Sequence, residues 1–195
     1  MTSQAKAFSL QGKTILVNGM ASGTGGAITQ AITQACEQRG AGILATFQPG
    51  RQLHGLVHCV DQQLECPVTD LSESDLMQVL QSNLIQPVML TQRVLQAGSL
   101  APNASIVFLL SAAAHQGAKG QGAYAASKAA LSGLIKCLAL EQAAHGIRVN
   151  GISPAAHEAL WLDVANGVIF LLSDASRWIT GTSLPVNGAG TELAS

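Results

Sequence analysis

The sequence predicts an α/β fold, a doubly wound parallel sheet in three layers α/β/α, and three observations predict it. Short runs rich in Ile, Val and Leu alternate with stretches of helical periodicity along the whole chain, as strands joined by crossover helices do. The runs read as strands buried on both faces, the condition of a parallel sheet covered on its two sides. The composition suits such a core, with 48% of the 195 residues hydrophobic, 11% charged and a formal net charge of −1. This length is expected to make one domain, residues 1–195, with a sizeable core.

Lys13-Thr14-Ile15-Leu16-Val17 is the first strand, and Asn18-Gly19-Met20-Ala21-Ser22-Gly23-Thr24-Gly25-Gly26 is a glycine-rich turn into a helix that runs to about Arg39. Within that helix Ala27-Ile28-Thr29-Gln30 repeats as Ala31-Ile32-Thr33-Gln34, which adds about one turn and keeps the buried face. Gly42 to Phe47 and Gly55 to Val60 are the next two strands. A helix from about Ser72 to Leu80 continues or kinks into one ending near Gln96, and Ser105 to Leu110 is the fourth strand. A long helix from Gly122 to His145, a strand from Ile147 to Ile152, a helix from Leu162 to Leu172 and a strand from Ser183 to Asn187 complete the alternation.

Several function classes are excluded at this level. No basic stripe is offered to a phosphate backbone, so nucleic acid is not an expected partner. Apolar stretches such as Ser105 to Ala114 are too short to span a bilayer, and Met1 to Lys6 lacks a signal-peptide core, which together imply no membrane partner and a cytoplasmic protein. Cys36, Cys59, Cys66 and Cys137 show no C-x-x-C spacing and lie in apolar segments, so they are expected as reduced, buried thiols and no metal site is expected.

Chemistry concentrates at three residues. Ser111 follows the apolar run Ser105 to Leu110, and Tyr124-Ala125-Ala126-Ser127-Lys128 opens the long helix. Helical residues four apart share a face, so the phenol of Tyr124 and the ammonium of Lys128 project side by side, with a strand-end hydroxyl near the same point. Two O–H groups able to reach one carbonyl oxygen, and a cation to tune them, make an acid/base site. The glycine turn adds a second function: Gly19 permits a tight turn, Gly23 lets a backbone amide approach a pyrophosphate, and Gly25 lets the helix pack close to its strand. The helix N-terminus supplies free N–H donors for a dinucleotide.

These motifs together resemble the short-chain dehydrogenase/reductase family. The family's cofactor turn reads Thr-Gly-x-x-x-Gly-x-Gly, matched here by Asn18-Gly19-Met20-Ala21-Ser22-Gly23-Thr24-Gly25, and its Asn, Ser, Tyr and Lys set falls on Asn83, Ser111, Tyr124 and Lys128. Further matches are Arg148-Val149-Asn150-Gly151-Ile152-Ser153-Pro154 and the ending Thr180 to Gly188, so that the resemblance runs from about Gln11 to Gly190. It implies a Rossmann-like sheet and an NAD(P)-dependent oxidoreductase that transfers a hydride between a nicotinamide and a secondary alcohol or ketone. In that scheme Tyr124 is the general acid/base, Lys128 lowers its pKa and holds the nicotinamide ribose, Ser111 binds the substrate oxygen, and Asn83 anchors a water linking Lys128 to solvent. Asn18, Gly19, Ser22, Gly23, Thr24, Gly25, Val60, Pro154, Tyr124 and Lys128 are the implied cofactor residues. A homodimer or homotetramer is also implied, paired through the helices that carry Asn83 and Tyr124.

The chain departs from the family in three places. His58-Cys59-Val60-Asp61 stands for the family's Asn-Asn-Ala-Gly, which puts a side chain and a negative charge where close backbone approach is expected. Ala155-Ala156-His157 follows Pro154 where Gly and then Thr are usual, with His157 and His115 expected as surface or loop residues. Length is also missing: residues 48–54 are too few for an ordinary crossover between strands on opposite sides of the first, so that one edge strand with its helices and most of the substrate lid are lacking. Either the polypeptide is truly shortened or it joins parts of a longer protein. The second strand ends without an acidic residue for a ribose hydroxyl, and Arg51 stands close enough in sequence to meet a 2′-phosphate, which favours NADP over NAD. The rival expectation, motivated by Asp61 and the missing lid, is a dinucleotide-binding or scaffold protein that keeps the fold without turnover.

Overall fold

Along each central strand large apolar side chains alternate between two layers, and this alternation sets the architecture. Ile15 and Val17 of β1 (Thr14–Asn18) join one buried layer and Leu16 the other. Val57 and Leu56 of β3 (Leu53–His58) divide in the same way, as do Val107 and Leu109 against Ile106 and Phe108 of β4 (Leu100–Leu109). The computed structural model describes residues 7–155 and 161–188. With β2 (Gly42–Leu44), β5 (Arg148–Pro154) and β6 (Ser183–Val186) they form one six-stranded, all-parallel sheet in the order β2-β1-β3-β4-β5-β6.

Helices cover both faces. On one, α1 (Gly23–Gln38) places Ile28, Ile32, Ala35 and Cys36 against Val164, Val168 and Leu172 of α6 (Trp161–Leu172). On the other, α3 (Gln86–Gln96) and α5 (Gly122–Gln142) bury Leu90, Val94, Leu131 and Ile135 on the sheet, and α2 (Glu73–Leu80) packs against α5. The expected three-layer α/β fold is therefore present. Between α2 and α3 the expected kink is a π-helical turn, Gln81–Ile85. A short helix α4 (Ala113–Gln116), which the sequence reading passed over, follows Ser111.

With its extension to His145 the long helix, Gly122–His145, is apolar and long enough by length and composition to cross a membrane, a point the sequence reading did not weigh. Here Leu131, Ile135, Leu138 and Ala139 lie against the sheet, as a core helix's do. The thiol expectation is met by Cys36 and Cys59, which are buried, and corrected at Cys66, which is half-buried, and Cys137, which is exposed on the outer face of α5.

The crossover judged too short exists. Strands β2 and β3 flank β1, and residues 45–52 connect them without a helix. Because β2 spans only Gly42–Leu44, an extended segment at about 3.3 Å per residue can cover the distance. Leu44 and Phe47 pack against the apolar layer on the way, taking part of the cover a crossover helix would supply. The sheet thus carries one edge strand fewer than the family pattern, as expected.

Arg148 fastens β5 to the end of α6. Its Nη1 donates to the Leu171 carbonyl at 2.8 Å and to Ser176 Oγ at 2.7 Å, and its Nη2 donates to the Ser173 carbonyl at 3.3 Å. A guanidinium at a helix C-terminus satisfies carbonyls that have no partner within the helix and meets the negative end of the helix dipole. Arg148→Met should therefore lower the unfolding free energy by about 2 to 4 kcal/mol, read as a reduced urea midpoint with unchanged slope.

Candidate active site

Parallel strands deliver their carboxyl ends to one edge of the sheet, and the turns that follow them meet there. Asn18 ends β1, and Gly23 opens α1 in the left-handed region at φ 67° with nothing within 4 Å of where a side chain would stand. Gly19 has no such room, since a side chain there would run into Thr29 of α1. Ser22 is the N-cap but makes no capping hydrogen bond with its side chain, and the first turn, which holds Thr24 and Gly25, contains no acidic residue. The helix therefore offers free N–H donors and its positive dipole end to an anion.

Behind the turn lies a polar relay that sequence reasoning missed. Thr91 Oγ1 donates to the Pro87 carbonyl at 2.9 Å, so it accepts from His58 Nε2 at 2.8 Å, and His58 Nδ1 accepts from Asn18 Nδ2 at 3.1 Å. The imidazole is stacked on Phe108 with ring centroids 4.7 Å apart. Burial lowers its pKa from the ordinary 6.5 to about 3. Asn18 is thereby held toward His58, the residue that replaces the family's first Asn.

Ser111, Tyr124 and Lys128 converge, as their spacing predicts. All three are buried, Lys128 wholly so, and Ser111 and Tyr124 line the same cleft. A fourth residue stands among them. The Tyr124 hydroxyl donates to Asp61 Oδ1 at 2.8 Å, and Lys128 Nζ lies 3.0 Å from the same oxygen. The ammonium also donates to the Val60 carbonyl at 2.8 Å and the Leu109 carbonyl at 3.1 Å, which occupies its three donors. Gln63 Nε2 donates to the other oxygen, Asp61 Oδ2, at 3.1 Å.

This arrangement corrects the expected electrostatics. Burial pushes the Asp61 carboxyl up, but the Lys128 ammonium and the hydrogen bonds from Tyr124, Lys128 and Gln63 together hold it below the ordinary carboxylate range. The Tyr124 phenol is driven well above its ordinary value by burial and then by the Asp61 charge, against a smaller opposing effect of the nearby Ser111 hydroxyl. Lys128 does not lower the phenol as expected because its charge is matched by Asp61 at contact distance. The signal was visible as an aspartate in a glycine's place, but its partners across the fold were not.

Asn83 sits in the π-helical turn and clamps the loop that carries Asp61. Its Oδ1 accepts from the Gln62 amide at 2.8 Å, and its Nδ2 donates to the Gln62 carbonyl at 2.9 Å and to Ser127 Oγ at 3.0 Å. Asp61, Ser111, Tyr124 and Pro154 line a narrow cleft of about 50 Å³ together with Gln121 and Trp161, two residues the sequence reading did not single out. Arg51 requires correction. It lies two residues before β3 begins, at the opposite edge of the sheet from the glycine turn, because the short crossover has by then run back down the sheet. His115 is exposed on α4 as expected, and His157 falls outside the described residues.

Comparison with known proteins agrees with this fold. The family model described as short chain dehydrogenase matches residues 33–161. The chain belongs to the short-chain dehydrogenase family. Among short-chain dehydrogenase relatives and others, the protein FixR of Bradyrhizobium diazoefficiens is 33% identical over 167 residues, which is 71% of this chain and 60% of that protein. The 3-oxoacyl-[acyl-carrier-protein] reductase FabG of Escherichia coli is 34% identical over 134 residues, 56% of this chain and 55% of that one. The chain thus spans about half to three-fifths of the length of these curated relatives. Among solved structures, a Brucella melitensis short-chain dehydrogenase/reductase superposes with a TM-score of 0.82 at 23% identity, covering 93% of this chain and 98% of that one. A Beutenbergia cavernae protein crystallised with NADP at low occupancy gives 0.77 at 24% identity, over 93% and 98% of the two chains.

In this short-chain dehydrogenase chain the His58 relay predicts acid lability. The unfolded chain binds a proton near pH 6.5 that the folded imidazole refuses until about pH 3, so stability present above pH 6.5 is lost as the pH falls toward 3. The loss should reach about 2 kcal/mol at pH 5 relative to pH 7. Urea midpoints measured across that range should fall in the wild type and stay flatter in His58→Asn.

Proposed function

We propose that the protein is an NAD(P)-dependent oxidoreductase acting on a secondary alcohol or ketone. The observation that carries this is the meeting of Ser111, Tyr124 and Lys128 at the carboxyl edge of the sheet, beside an uncapped helix that follows a glycine turn. When bound, the nicotinamide supplies or accepts the hydride. Tyr124 gives its phenol proton to the substrate oxygen in reduction and takes one back in oxidation. Ser111 donates a hydrogen bond to that oxygen as charge develops on it. Asn83 fixes the loop before α2 through Gln62, and its main chain is the anchor for a water on the way from Lys128 to solvent.

The residues fit one end of a dinucleotide better than the other. Asn18, Gly19, Ser22, Gly23, Thr24 and Gly25 form a turn with open space above Gly23, suited to a pyrophosphate. Val60 and Pro154 border the nicotinamide end, where Lys128 would hold ribose hydroxyls once its bond to Asp61 is released. With Arg51 at the far edge of the sheet, NADP and NAD stand equal. A homodimer or homotetramer belongs to the same reading, supported by the outward face of α5, where Ala126, Ala130, Gly133, Cys137 and Leu140 are exposed. A cytoplasmic setting accords with the buried free thiols of Cys36 and Cys59.

One observation favours a second reading, a family member that keeps the fold without turnover: Asp61 already engages both Tyr124 and Lys128. Screening carbonyl compounds with NADH and NADPH separates the two. The oxidoreductase reading expects saturable cofactor binding, detectable as quenching of Trp161 in the cleft, and turnover that falls about 100- to 10,000-fold in Tyr124→Phe. Full turnover in Tyr124→Phe would remove the phenol from the mechanism, and absence of any saturable binding at high micromolar cofactor would leave the scaffold.

A further inference from the structure

We infer that Asp61 is a positioning residue that locks the proton site, taking the hydrogen bond of the Tyr124 phenol and the third donor of Lys128 so that neither is offered to a ligand until the carboxylate moves aside. The inference rests on the reading that Tyr124 is the proton-transfer group. Its basis is geometric. One oxygen, Oδ1, receives both the phenol O–H at 2.8 Å and the ammonium at 3.0 Å, while Gln63 holds the second oxygen at 3.1 Å. The loop is itself pinned, because Asn83 binds both the amide and the carbonyl of Gln62, the next residue. With both oxygens engaged and the neighbouring peptide pinned, the carboxylate occupies the proton site in the unliganded chain, and only its side-chain torsions need turn to vacate it.

The consequence for proton transfer follows from charge. A phenol can pass its proton to a substrate oxygen only by leaving a phenolate behind, and a carboxylate bonded to it opposes that anion. The ammonium that would stabilise the phenolate is neutralised by the same carboxylate, at a distance from the Tyr124 ring centroid of 5.7 Å. Among the described residues no other charge around the phenol offsets this. Ser111 from the end of β4 and Gln63 and Gln121 in the cleft are neutral, Glu65 of the same loop lies against Gly120, and His115 of α4 is exposed. Lys128 is the cation supplied by the phenol's own helix, and its three donors are already taken. With Asp61 swung out, Lys128 regains a free donor and the phenol O–H faces the cleft that Ser111 lines.

The chain carries its own reporter, since Tyr124 is its only tyrosine and its ionisation is read directly from the ultraviolet absorbance of tyrosinate. The full-length protein, Asp61→Asn and Asp61→Gly are titrated toward alkaline pH, with circular dichroism at each point to mark where the fold persists. Asn keeps the shape and removes the charge, and Gly removes the side chain altogether, so that one variant serves if the other fails to fold. The expected result is a phenol that ionises at least about 2 pH units lower in the variants than in the wild type. Affinity for NADPH or NADH, followed by Trp161 quenching, should rise about tenfold or more in Asp61→Gly as the ammonium donor is released. Coincident phenol titrations overturn the lock, as does equal cofactor affinity in proteins that all bind it. If the phenol shifts while no form binds a reduced nicotinamide, Asp61 governs the phenol's ionisation as inferred, but the oxidoreductase reading falls and takes the proton-transfer role of the lock with it.

Discussion

A charged lysine can be fully buried only if acceptors meet it on every side, and the carboxyl edge of this sheet is organised around that requirement. Lys128 has no exposed surface, and its ammonium draws together the Val60 carbonyl beyond β3, the Leu109 carbonyl at the end of β4 and the Asp61 carboxylate. Two of the acceptors are neighbours on the loop after β3 and the third ends β4. The helix that carries Lys128 is therefore locked in register against two adjacent strands, and Tyr124, one turn earlier, is carried to the same point. Ser127, between them in sequence, accepts from Asn83 and donates to the Tyr124 carbonyl at 2.7 Å, tying the π-helical turn to the same helix. The convergence of these side chains follows from satisfying one buried charge.

Two ends of the crevice obey different physics. At the glycine turn the main chain leaves donors unpaired and space open above Gly23, a condition stable only in contact with water or an anion. At the tyrosine the side chains have satisfied one another. Asp61, Tyr124 and Lys128 bond to one another, and the cleft beside them, which Ser111 also lines, is about 50 Å³. Glycine keeps the space open at one end, and Asp61 stands at the other where the family pattern has a glycine.

Much of this was legible from residues alone, and the reasons are local. Tyr124 and Lys128 are one helical turn apart, Ser111 follows a strand, and strand, glycine turn and helix occur in immediate succession, so periodicity and direct connection place each of them. The alternation of Ile15, Leu16 and Val17 between the two layers reads the same way. Misplaced features depend on direction or on partners far along the chain. Arg51 is near the end of β2 in sequence, yet the connection from β2 must return to the opposite edge before β3 can begin parallel, and that carries Arg51 away. Asp61 was seen as an intrusion, but its bonds reach across 63 residues to Tyr124, a separation no local pattern encodes. Cys137 is small and sits in an apolar helix, and only the packing of α5 on β5 turns it outward.

The loss of the outer strand has a further bearing on how the chain avoids its own kind. Removing a strand from a parallel sheet exposes the hydrogen-bonding groups of the next one, and such a margin invites another chain to pair along it. Here the margin is β2, which offers only Gly42–Leu44, begins with an exposed glycine and is followed at once by a segment that leaves the sheet plane to cross over. Too few groups stand in line for a foreign strand to zip onto. The same abbreviation that leaves β2 at the margin also leaves it only three residues of edge to offer.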